Sequence, residues 1–497
     1  MPSLEEVRRI LRSDVRRVLV EAPAGCGKTY EAVDLACDLA KDLKDYQHVL
    51  LLTRTNAAKN EFNRRSAVQT GASRVRISTI DSFLLEVCTP YTSALNLPCP
   101  LRDAVATGQI SFSDVAKAVL QLLKRAPIVA EVLADRFPVL LLDEHQDASV
   151  EQHEIVCAIG SGSGSRVRFF GDSMQAIYDF ASPPISLEDL KKAVDVVCEL
   201  STPWRWRAHP ELGRWITDAR GRLQSGLPLD RATAPAAVKI HCVGDPGYST
   251  HYDGALMGLV RGFAGHERAT ILVRRNNQAD ALNLQTAGLY TLNEGSDFEP
   301  ARQFLKDVEA IGSDPKRLAV SVVNLVSKYS VGFDAAKRKQ VLATLEDDGI
   351  NIGRKGQIGK VARALEVIYA APSAISACLA VGNIIGDTPE WLKRITKPRN
   401  LELVAELGKM SNDELPSSAL ESAISHEREI RKAQRRSIST IHKAKGLEYP
   451  NVMIWNFSAP DFPATPEAAR LVYVAISRAT EELEIVAPGK AVSPLLS

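Results

Sequence analysis

Nine residues, Glu21-Ala22-Pro23-Ala24-Gly25-Cys26-Gly27-Lys28-Thr29, constrain this chain more than any other stretch. They follow the apolar run Val18-Leu19-Val20 and lead into a helix-like pattern over 30–43. Strand, glycine-containing loop and helix, in that order, are the setting of a phosphate-binding loop. Glycines let successive backbone N–H groups turn toward phosphate oxygens, and the helix N-terminus adds the positive end of its dipole. Lys28 is placed to neutralise the β- and γ-phosphates of a nucleotide, and the Thr29 hydroxyl to hold Mg²⁺. Ala22 stands where the strict pattern has glycine. The competing account is an ordinary βα loop that contains glycine.

Further apolar runs read as strands that each end in polar residues. Val49-Leu50-Leu51-Leu52 leads to Thr53-Arg54-Thr55-Asn56 and a helix from Ala57; Val75-Arg76-Ile77 leads to Ser78-Thr79-Ile80-Asp81-Ser82-Phe83. Val139-Leu140-Leu141-Leu142 ends in Asp143-Glu144-His145-Gln146-Asp147. In an open α/β sheet the carboxyl ends of buried strands face the ligand crevice. Asp143 is therefore a candidate Mg²⁺ ligand, and Glu144 a candidate for positioning or deprotonating an attacking water. A solvated helix start is the alternative, since acidic residues favour helix N-termini. Val167-Arg168-Phe169-Phe170 ends in Gly171-Asp172-Ser173-Met174-Gln175, with Tyr178 and Phe180 just beyond. Gln175 is a candidate γ-phosphate sensor, and the two aromatics are candidates for stacking bases, although such pairs are as readily core residues.

At 497 residues the chain is too long for one ordinary core, and about two to four domains are expected. Its 61 basic and 60 acidic side chains neither require nor exclude a nucleic-acid partner, because a groove can be basic on a neutral protein. The eight cysteines contain no C-x-x-C spacing, so neither a zinc ribbon nor a disulfide framework is expected. No signal peptide and no apolar run of transmembrane length is evident, and a cytoplasmic protein without a membrane partner is expected. The glycine–serine run at 160–165 reads as a flexible surface loop.

Taken in order, these segments resemble the motifs of superfamily-one helicases of the UvrD/Rep/PcrA type. The phosphate loop resembles motif I, Leu52-Thr53-Arg54-Thr55-Asn56 motif Ia, and 78–83 motif Ib. The D-E-H-Q-D run resembles motif II and G-D-S-M-Q-A-I-Y motif III. Thr202-Pro203-Trp204-Arg205 sits where the family carries motif IV. Ser439-Thr440-Ile441-His442-Lys443-Ala444-Lys445-Gly446-Leu447-Glu448-Tyr449 resembles motif V, and Val472-Tyr473-Val474-Ala475-Ile476-Ser477-Arg478-Ala479 motif VI.

The resemblance implies an α/β protein with two RecA-like domains, each built on a parallel sheet and each carrying a mostly helical insertion. Domain 1A would comprise 1–88 and 138–200, with insertion 1B at 89–137. Domain 2A would comprise 201–310 and 436–497, with insertion 2B at 311–435. ATP with Mg²⁺ would lie between 1A and 2A. Ala24, Gly25, Cys26, Gly27, Lys28, Thr29, Tyr30 and Glu448 would bind it, Thr29 and Asp143 would hold the metal, and Lys28, Glu144, Gln175, Arg205 and Arg478 would act in hydrolysis. Thr53, Asn56, Thr79, Tyr178, Phe180, Thr440, His442 and Lys443 would contact single-stranded DNA, or the single-stranded tail of a duplex. The family's upstream adenine-reading glutamine has no counterpart, since no Gln occurs in residues 1–46. The implied activity is an ATP-dependent translocase or helicase, 3′ to 5′. The alternative is a DNA- or nucleotide-sensing ATPase that regulates a partner nuclease, as the compact size resembles the helicase component of Gabija-type anti-phage systems.

Overall fold

The computed structural model describes residues 3–497 apart from 68, 107–108, 178–184, 244–253, 287, 293–297, 347–348, 351–355, 396–397, 410–415, 417–418, 421, 425–434 and 489–491. It forms two compact units, Met1–Tyr290 with Arg436–Ser497, and Thr291–Arg435.

The first unit holds two sheets. One is six-stranded, from β1 (Arg17–Glu21), β2 (Val49–Thr53), β3 (Val75–Thr79), β4 (Val139–Leu142), β5 (Arg166–Gly171) and β6 (Val196–Glu199). Its order is β3-β2-β4-β5-β1-β6, with every neighbouring pair parallel. All residues of β2 and β4 are buried, which is why these strands are unbroken Val/Leu runs, polar only at Thr53, and not alternating ones. Arg168 interrupts β5 yet is fully buried. Its guanidinium donates to the carbonyls of Leu11, Ser13 and Val15 at 2.8, 2.6 and 2.7 Å, and so satisfies the C-terminal end of the helix Leu4–Arg12.

The second sheet in this unit places β7 (Val238–Val243) beside strand Ala479–Pro488, then Tyr449–Ile454, then β8 (Ala269–Val273), then Arg436–Thr440, all parallel. Two parallel sheets with covering helices establish the α/β class expected from the sequence. The 89–137 region carries the helices Leu101–Ala106, Phe112–Arg125 and Pro127–Arg136; a Ser111–Asp114 capping box starts the second and Pro127 the third. The 160–165 run is a turn whose middle lies at the surface, with Ser161, Ser163 and Gly164 exposed, as its composition suggests. Its two ends are packed, Ser165 being buried and Gly160 lying against a Val167 methyl.

The second unit, Thr291–Arg435, is helical, where the sequence reading opened an insertion at 311. Helices Glu299–Ile311, Pro315–Lys328, Ala335–Leu342, Gln357–Ala370, Ala374–Gly386 and Pro398–Leu407 enclose a separate core that includes Leu318, Val322, Leu365 and Val381. Among the described residues no helix is long and apolar enough to cross a membrane.

Candidate functional site

The carboxyl ends of the first sheet and three segments of the second half line one cleft of about 1000 Å³. The phosphate loop forms one wall. Gly25 and Gly27 have φ of +76° and +83°, the left-handed region that glycine enters without steric cost. A Cβ at Gly25 would also stand 2.7 Å from Cβ of Arg205. Ala22 is different. Its N–H continues the ladder to the Gly171 carbonyl at 2.9 Å and its methyl is fully buried, so alanine fits where the strict pattern has glycine. Gly27 offers no side-chain cap, so the first-turn N–H groups of helix Lys28–Leu39 are left to a ligand.

Ala24, Gly25, Gly27, Lys28, Thr29 and Tyr30 all line the cleft. Cys26 does not; its side chain packs into the core, and burial pushes its thiol up to about 12. Lys28 Nζ lies 3.4 Å from Glu144 Oε1. Burial opposes the charge on Lys28, but Glu144, Asp172 and Asp143 outweigh it and hold the ammonium charged. Glu144 is non-glycine at φ 50°, ψ 40°, a backbone strain of roughly 1–3 kcal/mol at the candidate water-positioning carboxylate. Burial, then the charge of Glu144, push the Asp143 carboxyl up. Burial pushes Glu144 up as well, but Lys28 and Lys445 outweigh it and hold Glu144 low. Thr53 Oγ1, Asp143 Oδ1 and Asp147 Oδ1 are buried against this cleft with no hydrogen-bond partner among the described residues. Such atoms are rare in folded proteins and here offer oxygen ligands beside a cationic loop, which fits a metal–phosphate group.

The far wall comes from the second half. Arg478 is 1% exposed and donates to Gln175 Oε1 at 3.3 Å, Leu447 O at 3.1 Å and Val474 O at 3.0 Å. Burial and then Arg205 lower its guanidinium to about 10. Arg205 donates its backbone N–H to the Gly25 carbonyl at 3.2 Å and its fork to Ser477 O and Glu448 Oε1, both at 2.6 Å. Glu448 is thus engaged by Arg205 at the cleft mouth, beside Trp204.

Three connections had no assigned role in the sequence. The Tyr473 hydroxyl accepts from the Ala24 N–H at 2.8 Å inside the protein. Arg220, on helix Pro210–Gln224, pairs with the fully buried Asp172 at 3.0 Å, and Asp172 in turn accepts from Gln175 Nε2 at 2.8 Å. Lys445 pairs with Asp147, both side chains under a tenth exposed. Tyr473, Asp172, Lys445 and Asp147 lie within recognisable segments, whereas nothing local marks Arg220.

The residues nominated for DNA contact separate. Thr53 lies in the cleft floor, 2% exposed. Thr79 caps helix Ile80–Cys88 by accepting from Ser82 N–H at 3.2 Å, and Thr440 holds the corresponding position before helix Ile441–Ala444; both are buried at strand ends. His442 is half-buried, and burial followed by Arg274 lowers its pKa, which favours the neutral ring. Lys443 is exposed. Tyr178, Phe180 and the Asn56 side chain lie outside the described residues.

Two family models match. The UvrD/REP helicase N-terminal domain matches residues 4–105 and 101–188, and the UvrD-like helicase C-terminal domain matches 396–488. The chain is 26% identical over 262 residues to the ATP-dependent DNA helicase UvrD2 of Mycobacterium tuberculosis, covering 48% of this chain and 37% of that one. It is 29% identical over 97 residues to the RecBCD enzyme subunit RecB of Buchnera aphidicola, covering 19% and 8%. It is 22% identical over 255 residues to an ATP-dependent helicase/nuclease protein of Staphylococcus aureus, covering 46% and 20%. The match spans less than half the length of each of these relatives, and none of the three is named for an anti-phage system.

Proposed function

Because this chain carries UvrD/REP-like superfamily-one helicase domains, we propose that it hydrolyses ATP to move along single-stranded DNA, 3′ to 5′, and to separate duplex ahead of it. The observation that carries this reading is the convergence on one cleft of Lys28, Glu144, Gln175 and Arg478, from both sheets. Phosphoryl transfer to water asks for positioning and charge neutralisation more than covalent help. Lys28 and the loop N–H groups take the phosphates. Thr29 and Asp143 would hold Mg²⁺, which neutralises charge on the β- and γ-phosphates when bound. Glu144 orients the water, Gln175 meets the γ-phosphate from the side of the first sheet, and Arg205 and Arg478 meet it from the opposite side.

The same pairs give hydrolysis a mechanical outlet. Arg478–Gln175, Lys445–Asp147, Arg220–Asp172 and Tyr473–Ala24 join the two halves across the cleft, so a change in phosphate occupancy alters contacts that hold them closed. A single strand would cross the strand ends at Thr79, Thr440, His442 and Lys443. Without the upstream glutamine, discrimination among bases in the nucleotide is expected to be weak.

A second reading, an ATPase that governs a partner nuclease, draws on one relative whose name joins helicase and nuclease. The test is steady-state ATP hydrolysis with and without single-stranded DNA, beside displacement of strands carrying 3′ or 5′ tails. Stimulation by DNA with displacement from 3′ tails supports the motor. ATP hydrolysis indifferent to single-stranded DNA refutes it.

A further inference from the structure

Away from the cleft, strands β7 and Ala479–Pro488 bring a second set of chemistry-bearing side chains onto one sheet face. Lys239 and His241 are two residues apart on β7, and Glu482 and Glu484 two apart on the neighbouring strand. The period of two puts all four on the same side, with Lys239 in register with Glu484. His266, in the turn that leads into β8, completes the group. The ligand atoms of His266, Glu482 and Glu484 lie within 4.8 Å of one another. His241 Nε2 is 3.0 Å from Glu484 Oε2, and His266 Nε2 is 3.7 Å from Glu482 Oε2.

We propose that His266, Glu482 and Glu484, whose ligand atoms already converge, form a binding site for a zinc-class divalent ion and that His241, now paired with Glu484, turns in as the fourth ligand. The donor set argues for the metal. Two imidazoles with two carboxylates suit tetrahedral zinc, whose bonds of about 2.0–2.2 Å place neighbouring donors about 3.3–3.6 Å apart. Magnesium and calcium demand oxygen ligands and leave the imidazoles unused. Glu484 is only 7% exposed, and a buried carboxylate requires a cation beside it. Lys239 provides one here, its Nζ 2.8 Å from Glu482 Oε2 and 3.6 Å from Glu484 Oε1. An ammonium uses the carboxylates but only donates hydrogen bonds, so it leaves any imidazole lone pair unused. Its side chain is half exposed, so the metal would displace the Lys239 ammonium from the two carboxylates toward solvent and gain the two nitrogens.

The ion would tie β7 to strand Ala479–Pro488 and to the turn before β8. It is independent of the nucleotide reading. The experiment takes the full chain, stripped with chelator, and titrates zinc by calorimetry and cobalt by visible absorption. We expect one ion per chain at micromolar or tighter affinity, a cobalt spectrum of tetrahedral intensity, and a zinc-dependent rise in melting temperature. His266→Ala and Glu484→Gln should each weaken binding more than about tenfold, while Lys239→Ala tightens it several-fold by removing the competing cation. A melting temperature of His266→Ala in chelator equal to that of the parent shows that the fold is intact. Absence of saturable binding at micromolar zinc overturns the proposal. So does binding that survives His266→Ala, or binding lost in Cys242→Ser, which assigns the ion to the exposed thiol of that strand. Unchanged or weaker affinity in Lys239→Ala also overturns it.

Discussion

Replacing Lys445 by methionine tests how firmly the two halves of the first unit are joined. The Lys445 side chain is 6% exposed and its partner Asp147 2%. The ammonium also donates to the Gln175 carbonyl, so one side chain spans two segments of the opposite sheet. Methionine fills similar volume but strands the Asp147 carboxylate, whose Oδ1 already has no partner among the described residues. Breaking a buried pair from one side costs about 3–5 kcal/mol, against roughly 0.2–1 kcal/mol for an exposed one. Burial already pushes the Asp147 carboxyl up while Lys445 opposes that shift, so removing the lysine raises it further. The folded variant then holds a proton that the unfolded chain has released. Its deficit therefore grows as pH rises from the ordinary carboxyl range and is smallest at acid pH. Urea unfolding followed by tryptophan fluorescence at several pH values measures this. Adding Asp147→Asn to Lys445→Met should recover most of the loss, because a neutral amide tolerates the site. A deficit under about 1 kcal/mol at alkaline pH, or one independent of pH, would show that the pair is solvated and refute the reasoning.

Lys28→Ala should abolish hydrolysis and weaken nucleotide binding, whereas Glu144→Gln should keep both nucleotide and DNA binding and barely turn over; filter binding beside turnover separates them. Arg205→Ala should lose DNA-stimulated turnover with a modest loss of stability, because its fork also holds the Ser477 carbonyl, while Arg478→Ala should lose turnover and melt much earlier, since its fully buried guanidinium satisfies the backbone carbonyls of Val474 and Leu447 and the side chain of Gln175. In the metal-free protein the raised Asp143 carboxyl contributes stability at acid pH that is lost as pH rises through its folded value, and the lowered Glu144 contributes stability above the ordinary carboxyl range that is lost on acidification. Mg²⁺ must displace the Asp143 proton, so Mg²⁺–nucleotide affinity should fall on acidification below neutrality with proton uptake in the calorimeter, and Asp143→Asn should flatten that dependence.

Much of the candidate site is legible in the chain because it is local. A left-handed backbone at Gly25 and Gly27, an apolar run before them and a helix after them are fixed by neighbours in sequence, and so are the acidic residues that end β4. The doubly buried strands also declare themselves, since unbroken Leu/Val runs suit only the interior of a parallel sheet. Other features depend on what the fold brings near. The 160–165 run has an exposed middle, as its composition suggests, but that Val167 packs against its Gly160 end is seen only in the fold. Thr53 lies in a segment that the resemblance ties to DNA, and only the fold shows that its side chain, at the end of β2, lies in the floor of the cleft. Arg168 looks out of place in a strand until the carbonyls of a distant helix end satisfy it. Tyr473 and Ala24 are 449 residues apart, Lys445 and Asp147 298, and no propensity or periodicity encodes such pairs. Sequence alone determined the elements and the chemistry each strand end presents. Which of those ends face one another was decided only when the two sheets packed, because hydrogen bonds and ion pairs between distant segments form only where burial of the apolar faces sets their distance.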